Sequence, residues 1–148
     1  MKLKLMFFTL ATLAVAATGL AADSASINAR GILVAASNEQ RESDPRLAEY
    51  EPTLRRVLRF ESYRYLGSGG ARASAPGDAR FSLGQGHSIE LSVESVNGDR
   101  IRARVRWLDG DRTLMNTVLV LRRGVPAVLG GPARAGGNDV LAVIVVAS

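Results

Sequence analysis

The sequence predicts an all-β fold: a mostly antiparallel sandwich or partly closed barrel of seven to eight strands, with one short helix. Three observations lead to this prediction. Short apolar or alternating segments follow one another after residue 60. Turn signals 12 to 14 residues apart separate several of them, as in a meander. Beyond the N-terminal leader, only one stretch has apolar residues at helical spacing.

The chain begins with the features of a secretory signal peptide. Lys2 and Lys4 precede an apolar run that reaches Ala17, and small residues close the segment at residues 19–22. The run is too short for a permanent transmembrane helix, which needs about twenty residues. We therefore predict a cleaved signal peptide over residues 1–22, a single mainly-β domain over residues 23–148, and export to the periplasm or the extracellular space.

Composition excludes several classes of function. The chain has no cysteine, which rules out disulfides, thiol nucleophiles and thiolate metal sites. Both lysines lie in the leader, so 17 arginines face 14 acidic residues in the remainder, a formal charge of +3. This charge is weaker than a dedicated nucleic-acid binder carries, and we predict no nucleic-acid partner.

The first strand is predicted over Ile27–Ala36, and the polar stretch Ser37–Ser43 after it is expected to be a loop. Asp44 and Pro45 then form a helix start, an N-cap acid followed by proline at the first helical position. A second proline interrupts the helical pattern, so we expect broken turns with the better helix over Pro52–Arg59.

The later part of the chain is predicted to form strands separated by turns. The glycine-rich stretch Gly67–Gly77 is expected to be a loop, and Gly130-Gly131 a turn. The last strand, Val140–Ala147, is apolar throughout and is expected in the core, buried on both faces. The predicted strands after the helix are Ser62–Gly67, Arg80–Leu83, Ser88–Val96, Arg100–Leu108, Leu114–Leu121, Val125–Leu129 and Val140–Ala147.

One hairpin allows a prediction of strand register. Both of its strands alternate apolar and polar residues, and only certain registers place the apolar residues on one face. A three-residue loop, Val96–Gly98 with a glycine bulge, places Glu94 opposite Arg100 and Glu90 opposite Arg104. The same register pairs Val93 with Ile101 and Ile89 with Val105.

The candidate binding site is a row of four arginines on one face of this hairpin. Guanidinium groups bind phosphate and carboxylate well, so the row is a candidate anion-binding site. The predicted register, however, sets two glutamates against the row and neutralises half of it, which is common on a solvated sheet face. The row consists of Arg100, Arg102, Arg104 and Arg106.

His87 is the only histidine and is expected in a loop. A zinc site would need carboxylates for its remaining ligands, and a catalytic triad would need a partner such as Asp78 or Asp139. The acidic cluster around the helix is expected to be a solvated loop and a favourable helix start, and it lacks calcium-loop spacing. We predict no catalytic residue, no metal and no cofactor. The cluster consists of Glu39, Glu42, Asp44, Glu49 and Glu51.

The segment Thr117–Gly131 resembles part of the tail of secretins, the outer-membrane channels of bacterial secretion systems. In that family an apolar strand, a glycine turn and a second apolar strand end in Gly-Gly, and a last apolar strand follows. The chain is too short for a secretin and lacks ring-building domains. The resemblance therefore implies a similar strand arrangement or a role beside such machinery, and not a pore.

Three functions follow from these features. The first is an exported, non-catalytic β-domain that binds another envelope protein or assembly, with no permanent membrane span. The second is a binder of anionic lipid or polysaccharide through the arginine row. The third is a small hydrolase that uses His87.

Overall fold

The computed structural model describes residues 25–134 and 137–148, and the predicted signal peptide lies outside this range. The described residues contain eight strands, one short 3-10 helix and one α-helix, α1. The 3-10 helix is Pro45–Leu47 and α1 is Glu51–Leu58. The strands are β1 Ala25–Ser37, β2 Ser62–Ala75, β3 Gly77–Gly84, β4 His87–Asn97, β5 Arg100–Asp109, β6 Arg112–Arg122, β7 Ala127–Ala133 and β8 Val140–Ala147.

The eight strands form two antiparallel four-stranded sheets, which confirms the predicted all-β sandwich. The first sheet has the order β2-β1-β8-β7, and the second has the order β3-β4-β5-β6. The second sheet is a simple meander, as the turn spacing predicts. The chain then passes from β6 at the end of one sheet to β7 at the end of the other. Because the strands divide between two separate sheets, the fold is the sandwich and not the partly closed barrel, the two architectures that the sequence predicts.

The inner faces of the two sheets enclose the main core. Leu33 and Val143 of the first sheet pack with Phe81 and Trp107 of the second, and all four side chains are buried. A Cβ atom at Gly131 of β7 would overlap the Trp107 ring. The glycine therefore lets β7 lie directly over the indole.

A second, smaller core lies on the outer face of the first sheet, where the helices pack. Leu47 and Leu54 of the helices are fully buried against Ile32, Val34 and Ile144. This second layer explains why β8 and the part of β1 from Ile32 to Ala36 are apolar without alternation, since both faces are covered there. The predicted burial of Val140–Ala147 in the core is thereby confirmed.

The helical segment begins at Asp44 as predicted, and α1 lies within one residue of the predicted helix Pro52–Arg59. The Asp44 carboxylate accepts a hydrogen bond from the Arg46 backbone N–H, and a proline follows it at the start of the 3-10 helix. The hydrogen bond from the Arg46 side chain is the main reason that the pKa of Asp44 falls to about 2. Pro52 occupies the first turn of α1, and Arg59 ends it in a left-handed conformation.

The predicted loop Gly67–Gly77 is wrong, because most of it is strand β2, which continues to Ala75. The glycines are required by packing and not by a turn. A Cβ atom at Gly67 or Gly69 would overlap the backbone carbonyl oxygen of Leu83 or Ser82 in β3. Strands β2 and β3 therefore lie backbone to backbone where the two sheets meet. The predicted turn at Gly130-Gly131 is also wrong, since both residues belong to β7.

The predicted register of the β4–β5 hairpin is wrong by two residues. The turn has Gly98 and Asp99 at its centre, with Gly98 at φ +62°, and Asn97 lies opposite Arg100. A bulge at Glu94 then restores the alternation, so that Glu90 lies opposite Arg106 instead of Arg104. A shift of two residues keeps every side chain on its predicted face. Hydrophobic alternation alone cannot distinguish such registers.

We expect Gly69→Ala to lower the free energy of unfolding by about 1–3 kcal/mol, because the added methyl group overpacks the backbone of β3. Gly130→Ala is the matched control, since its Cβ would meet only the Leu58 side chain at 3.4 Å. Denaturant unfolding followed by circular dichroism measures both. Equal losses in the two variants would contradict the close approach of β2 and β3.

Candidate functional site: the outer face and free edge of the second sheet

The outer face of the second sheet is not covered by a helix in the part of the chain that the structure describes. The 3-10 helix and α1 both pack on the first sheet. On the second sheet, the outward side chains of β5 are the predicted arginine row. With its neighbours, this face carries six arginines and three carboxylates, and its charge is therefore positive. They are Arg80, Arg100, Arg102, Arg104, Arg106 and Arg122, with Asp78, Glu90 and Glu94.

Two of the four arginines in the row are paired with glutamates of β4. Glu90 lies between Arg106, with a nitrogen–oxygen distance of 3.1 Å, and Arg80 of β3, at 3.3 Å. Glu94, the bulged residue, accepts a hydrogen bond of 2.8 Å from Arg102. Ion pairs this exposed contribute roughly 0.2–1 kcal/mol each, so an incoming ligand displaces them at small cost.

The other two arginines of the row, Arg100 and Arg104, form no ion pair within residues 25–134 and 137–148. Arg104 donates a 3.1 Å hydrogen bond to the neutral Asn116 side chain of β6. The sequence correctly places the glutamates on the arginine face. Because the predicted register is wrong, however, it assigns the wrong two arginines to the glutamates. The prediction leaves Arg102 and Arg106 without a carboxylate, whereas in the structure these two are the paired arginines.

A shallow depression of 520 Å³ lies in this face and is lined by residues of β3, β4, β5 and β6. The residues that line it include Arg104, Arg106 and Ser92, whose hydroxyl donates a hydrogen bond to Asp78. Both signs of charge therefore line the depression. Such a surface suits a polar or zwitterionic group better than a simple anion.

Strand β6 is an edge strand of this sheet, and no other strand among residues 25–134 and 137–148 pairs with its outer side. From Thr113 to Leu121 it has nine consecutive residues without a charge, a proline or a glycine. Val120 points outward beside the arginine row and is 59% exposed. On the inner face, Met115 and Leu119 are only partly buried, although their β5 partners are completely buried. The core is thus incompletely covered along β6.

The other three sheet edges in the described part of the chain are protected. Strands β2 and β3 cover each other where their backbones meet at Gly67 and Gly69. Strand β7 is short, contains Pro132 and has an irregular register before Ala133. Proline, bulges and short length are common means of preventing unwanted strand pairing. Strand β6 is eleven residues long and has no proline; its irregularity in the described ranges is a bulge at Leu114, near its start, and Met115–Arg122 pairs with β5 in a regular register.

His87 is not in a loop, contrary to the prediction, but is the first residue of β4 and only 7% exposed. Its Nδ1 accepts a 3.0 Å hydrogen bond from Nε1 of the buried Trp107. This bond leaves Nε2 to carry the proton of the neutral ring. One imidazole nitrogen is therefore committed to the core.

Three of the five acidic residues around the helix pair with separate arginines, and one of these pairs is Asp44 with Arg46. Glu39 pairs with Arg41, and Glu51 pairs with Arg55 along α1. Within the described ranges, no three histidine or acidic side chains come together as a metal site would require. A polar cavity of 560 Å³ lies beside this segment, where Arg64 and Asp139 approach to 3.6 Å.

Comparisons with known protein families, curated proteins and solved structures find no match to this chain. The resemblance of Thr117–Gly131 to the secretin tail therefore stays a prediction. In the structure this segment contains parts of β6 and β7, which belong to different sheets. Among the described residues, no helix has the length and hydropathy that a membrane crossing requires.

We expect His87→Leu to lower the free energy of unfolding by about 1–3 kcal/mol, because it leaves the indole N–H of Trp107 without an acceptor. His87→Gln supplies a side-chain oxygen and is expected to recover part of the loss. Combining His87→Leu with Trp107→Phe is expected to cost less than the sum of the single changes. Additive losses in denaturant unfolding would contradict a hydrogen bond between these side chains.

Proposed function

We propose that this protein is an exported, non-catalytic β-sandwich that binds another protein of the cell envelope, and that it binds through the free edge of β6. The observation that carries the proposal is the uncharged run from Thr113 to Leu121 on an edge strand, which from Met115 onward has neither a bulge nor a proline. An exposed edge offers a row of backbone N–H and C=O groups that can pair with an extended segment of another chain.

The apolar surface beside the edge also supports protein binding. Val120 is mostly exposed, and Met115 and Leu119 stay partly accessible at the margin of the core. A strand added next to β6 would cover these side chains and extend the second sheet to five strands. Both backbone pairing and apolar burial would then favour the complex.

Export and the neighbourhood of the partner belong to the same proposal. The leader over residues 1–22 supports export, and the secretin-like segment Thr117–Gly131 supports a role beside secretion machinery. Most of β6 lies within that segment. The edge and the resemblance thus concern the same stretch of chain.

A non-catalytic role agrees with the position of the only histidine. His87 is buried and uses Nδ1 to hold Trp107, and the charged face of the second sheet lies on the other side of the strand. No observation on the described residues favours the hydrolase over binding.

Affinity capture from the protein's own cell envelope tests the proposal, with three baits compared by mass spectrometry. Wild type is expected to retain a protein partner whose recovery falls at least tenfold with Val120→Glu, because the new carboxylate replaces an exposed apolar side chain on the edge strand. Val57→Glu is the matched control, since Val57 is 51% exposed on α1, which covers the other sheet.

Circular dichroism and unfolding first establish that both variants are folded. A partner retained equally by all three baits, or retained by none, would contradict binding through β6.

A second candidate function is binding of an anionic lipid or polysaccharide by the arginine row. The observation that favours it is the pair Arg100 and Arg104, which have no carboxylate partner in the described ranges and lie on a face with excess positive charge. Guanidinium groups without a carboxylate partner can bind phosphate or carboxylate without first breaking an ion pair.

For this second function, we expect binding to anionic vesicles to weaken steeply as ionic strength rises. Arg100→Gln with Arg104→Gln is expected to reduce affinity tenfold or more, at about 1 kcal/mol per arginine near an anionic surface. Arg102→Gln with Arg106→Gln changes the net charge equally but removes arginines that glutamates already offset. Vesicle co-sedimentation measures both, and equal losses would contradict a site at Arg100 and Arg104.

A further inference from the structure

We propose that the segment received by β6 is an extended strand in which apolar and acidic residues alternate. This inference rests on the proposed function and names the chemistry of the partner. It follows from the different character of the two faces of the sheet that the incoming strand would extend. One face presents arginines, and the other presents the margin of the core.

The outer face of the second sheet determines which positions of the partner strand are acidic. Neighbouring strands are about 4.8 Å apart, so outward side chains of a strand added beside β6 would lie roughly 10 Å from β5. Only Val118 and Val120 would lie between them and the guanidiniums of Arg104 and Arg102. At the far end of β6, Arg122 lies opposite Arg100, where like charges repel in the free protein. Carboxylates on the partner would relieve that repulsion.

The inner face of the second sheet determines which positions of the partner strand are apolar. Side chains alternate along a strand, so every second residue of the partner would point toward the core. These residues would meet Met115, Thr117 and Leu119, which are only partly buried. Apolar or β-branched side chains would complete the cover that β6 alone does not provide.

A second copy of this chain fits the edge poorly. Antiparallel pairing of β6 with itself about Thr117 would set Arg112 beside Arg122 of the other copy at both ends. Parallel pairing in register would set each arginine beside its own copy. Like charges directly opposite each other destabilise strand pairing. Charge thus favours an acidic partner over self-association.

The test uses a nine-residue synthetic peptide, capped at both ends, in which valine and glutamate alternate, and a matched peptide with lysine in place of glutamate. Isothermal titration with the folded protein is expected to show binding of the acidic peptide and at least tenfold weaker binding of the lysine peptide. Amide chemical-shift changes are expected along β6 and not on β7. Val120→Glu is expected to weaken the acidic peptide at least tenfold, and Val57→Glu to leave it unchanged.

Arg122→Glu is a second variant at the exposed end of β6 and is expected to weaken the acidic peptide in the same way. Equal affinity for both peptides, or shift changes away from β6, would overturn the proposal. A wild-type dimer in analytical ultracentrifugation that Val120→Glu dissociates would also overturn it, because the occupant would then be a second copy.

Failure of this inference is distinguishable from failure of the proposed function. Suppose that wild type captures an envelope partner, that Val120→Glu loses it, and that the acidic peptide does not bind. The edge of β6 is then the binding site, and the inference that the partner strand alternates apolar and acidic residues is wrong. If the acidic peptide binds at β6 but no Val120-dependent partner is captured, the chemistry of the edge is supported and the proposed function is not.

Discussion

The close approach of β2 and β3 governs the form of this sandwich. At Gly67 and Gly69 the backbone of β2 lies against the carbonyl groups of Leu83 and Ser82, a distance that no side chain would permit. This contact closes one side of the sandwich and shields two edge strands from further pairing. On the opposite side, where β6 and β7 end their sheets, the described residues form no comparable closure. An available edge at β6 is therefore a consequence of where the sheets are joined.

The helices determine which sheet face stays open. Leu47 and Leu54 bury the outer apolar side chains of β1 and β8, so the first sheet becomes the middle of three layers. Within the described ranges the second sheet has no cover of this kind, and its outer residues on β3, β4 and β5 are accordingly mostly charged or polar. The arginine row and the free edge are thus adjacent parts of one surface, and both candidate functions depend on the same architecture.

Strand register determines the charge pattern of that surface. The bulge at Glu94 and the turn at Gly98 bring Glu90 to Arg106 and Glu94 to Arg102. In the described ranges no carboxylate offsets the charges of Arg100 and Arg104, and the excess positive charge extends toward β6. Because exposed ion pairs are weak, this pattern influences what the surface binds more than it stabilises the fold.

The sequence by itself determined the fold class, the helix start at Asp44, the strand of the core at Val140–Ala147 and the faces of the β4–β5 hairpin. These features depend on local periodicity and on backbone preferences of neighbouring residues, which a linear pattern records. Only the tertiary structure decided that the glycines after Leu66 are a strand, that Glu90 meets Arg106, that His87 is buried against Trp107, and that β6 is an edge. The physical reason is that these features depend on contacts between distant segments, and no local pattern contains the distance between β2 and β3 or the order of strands in a sheet.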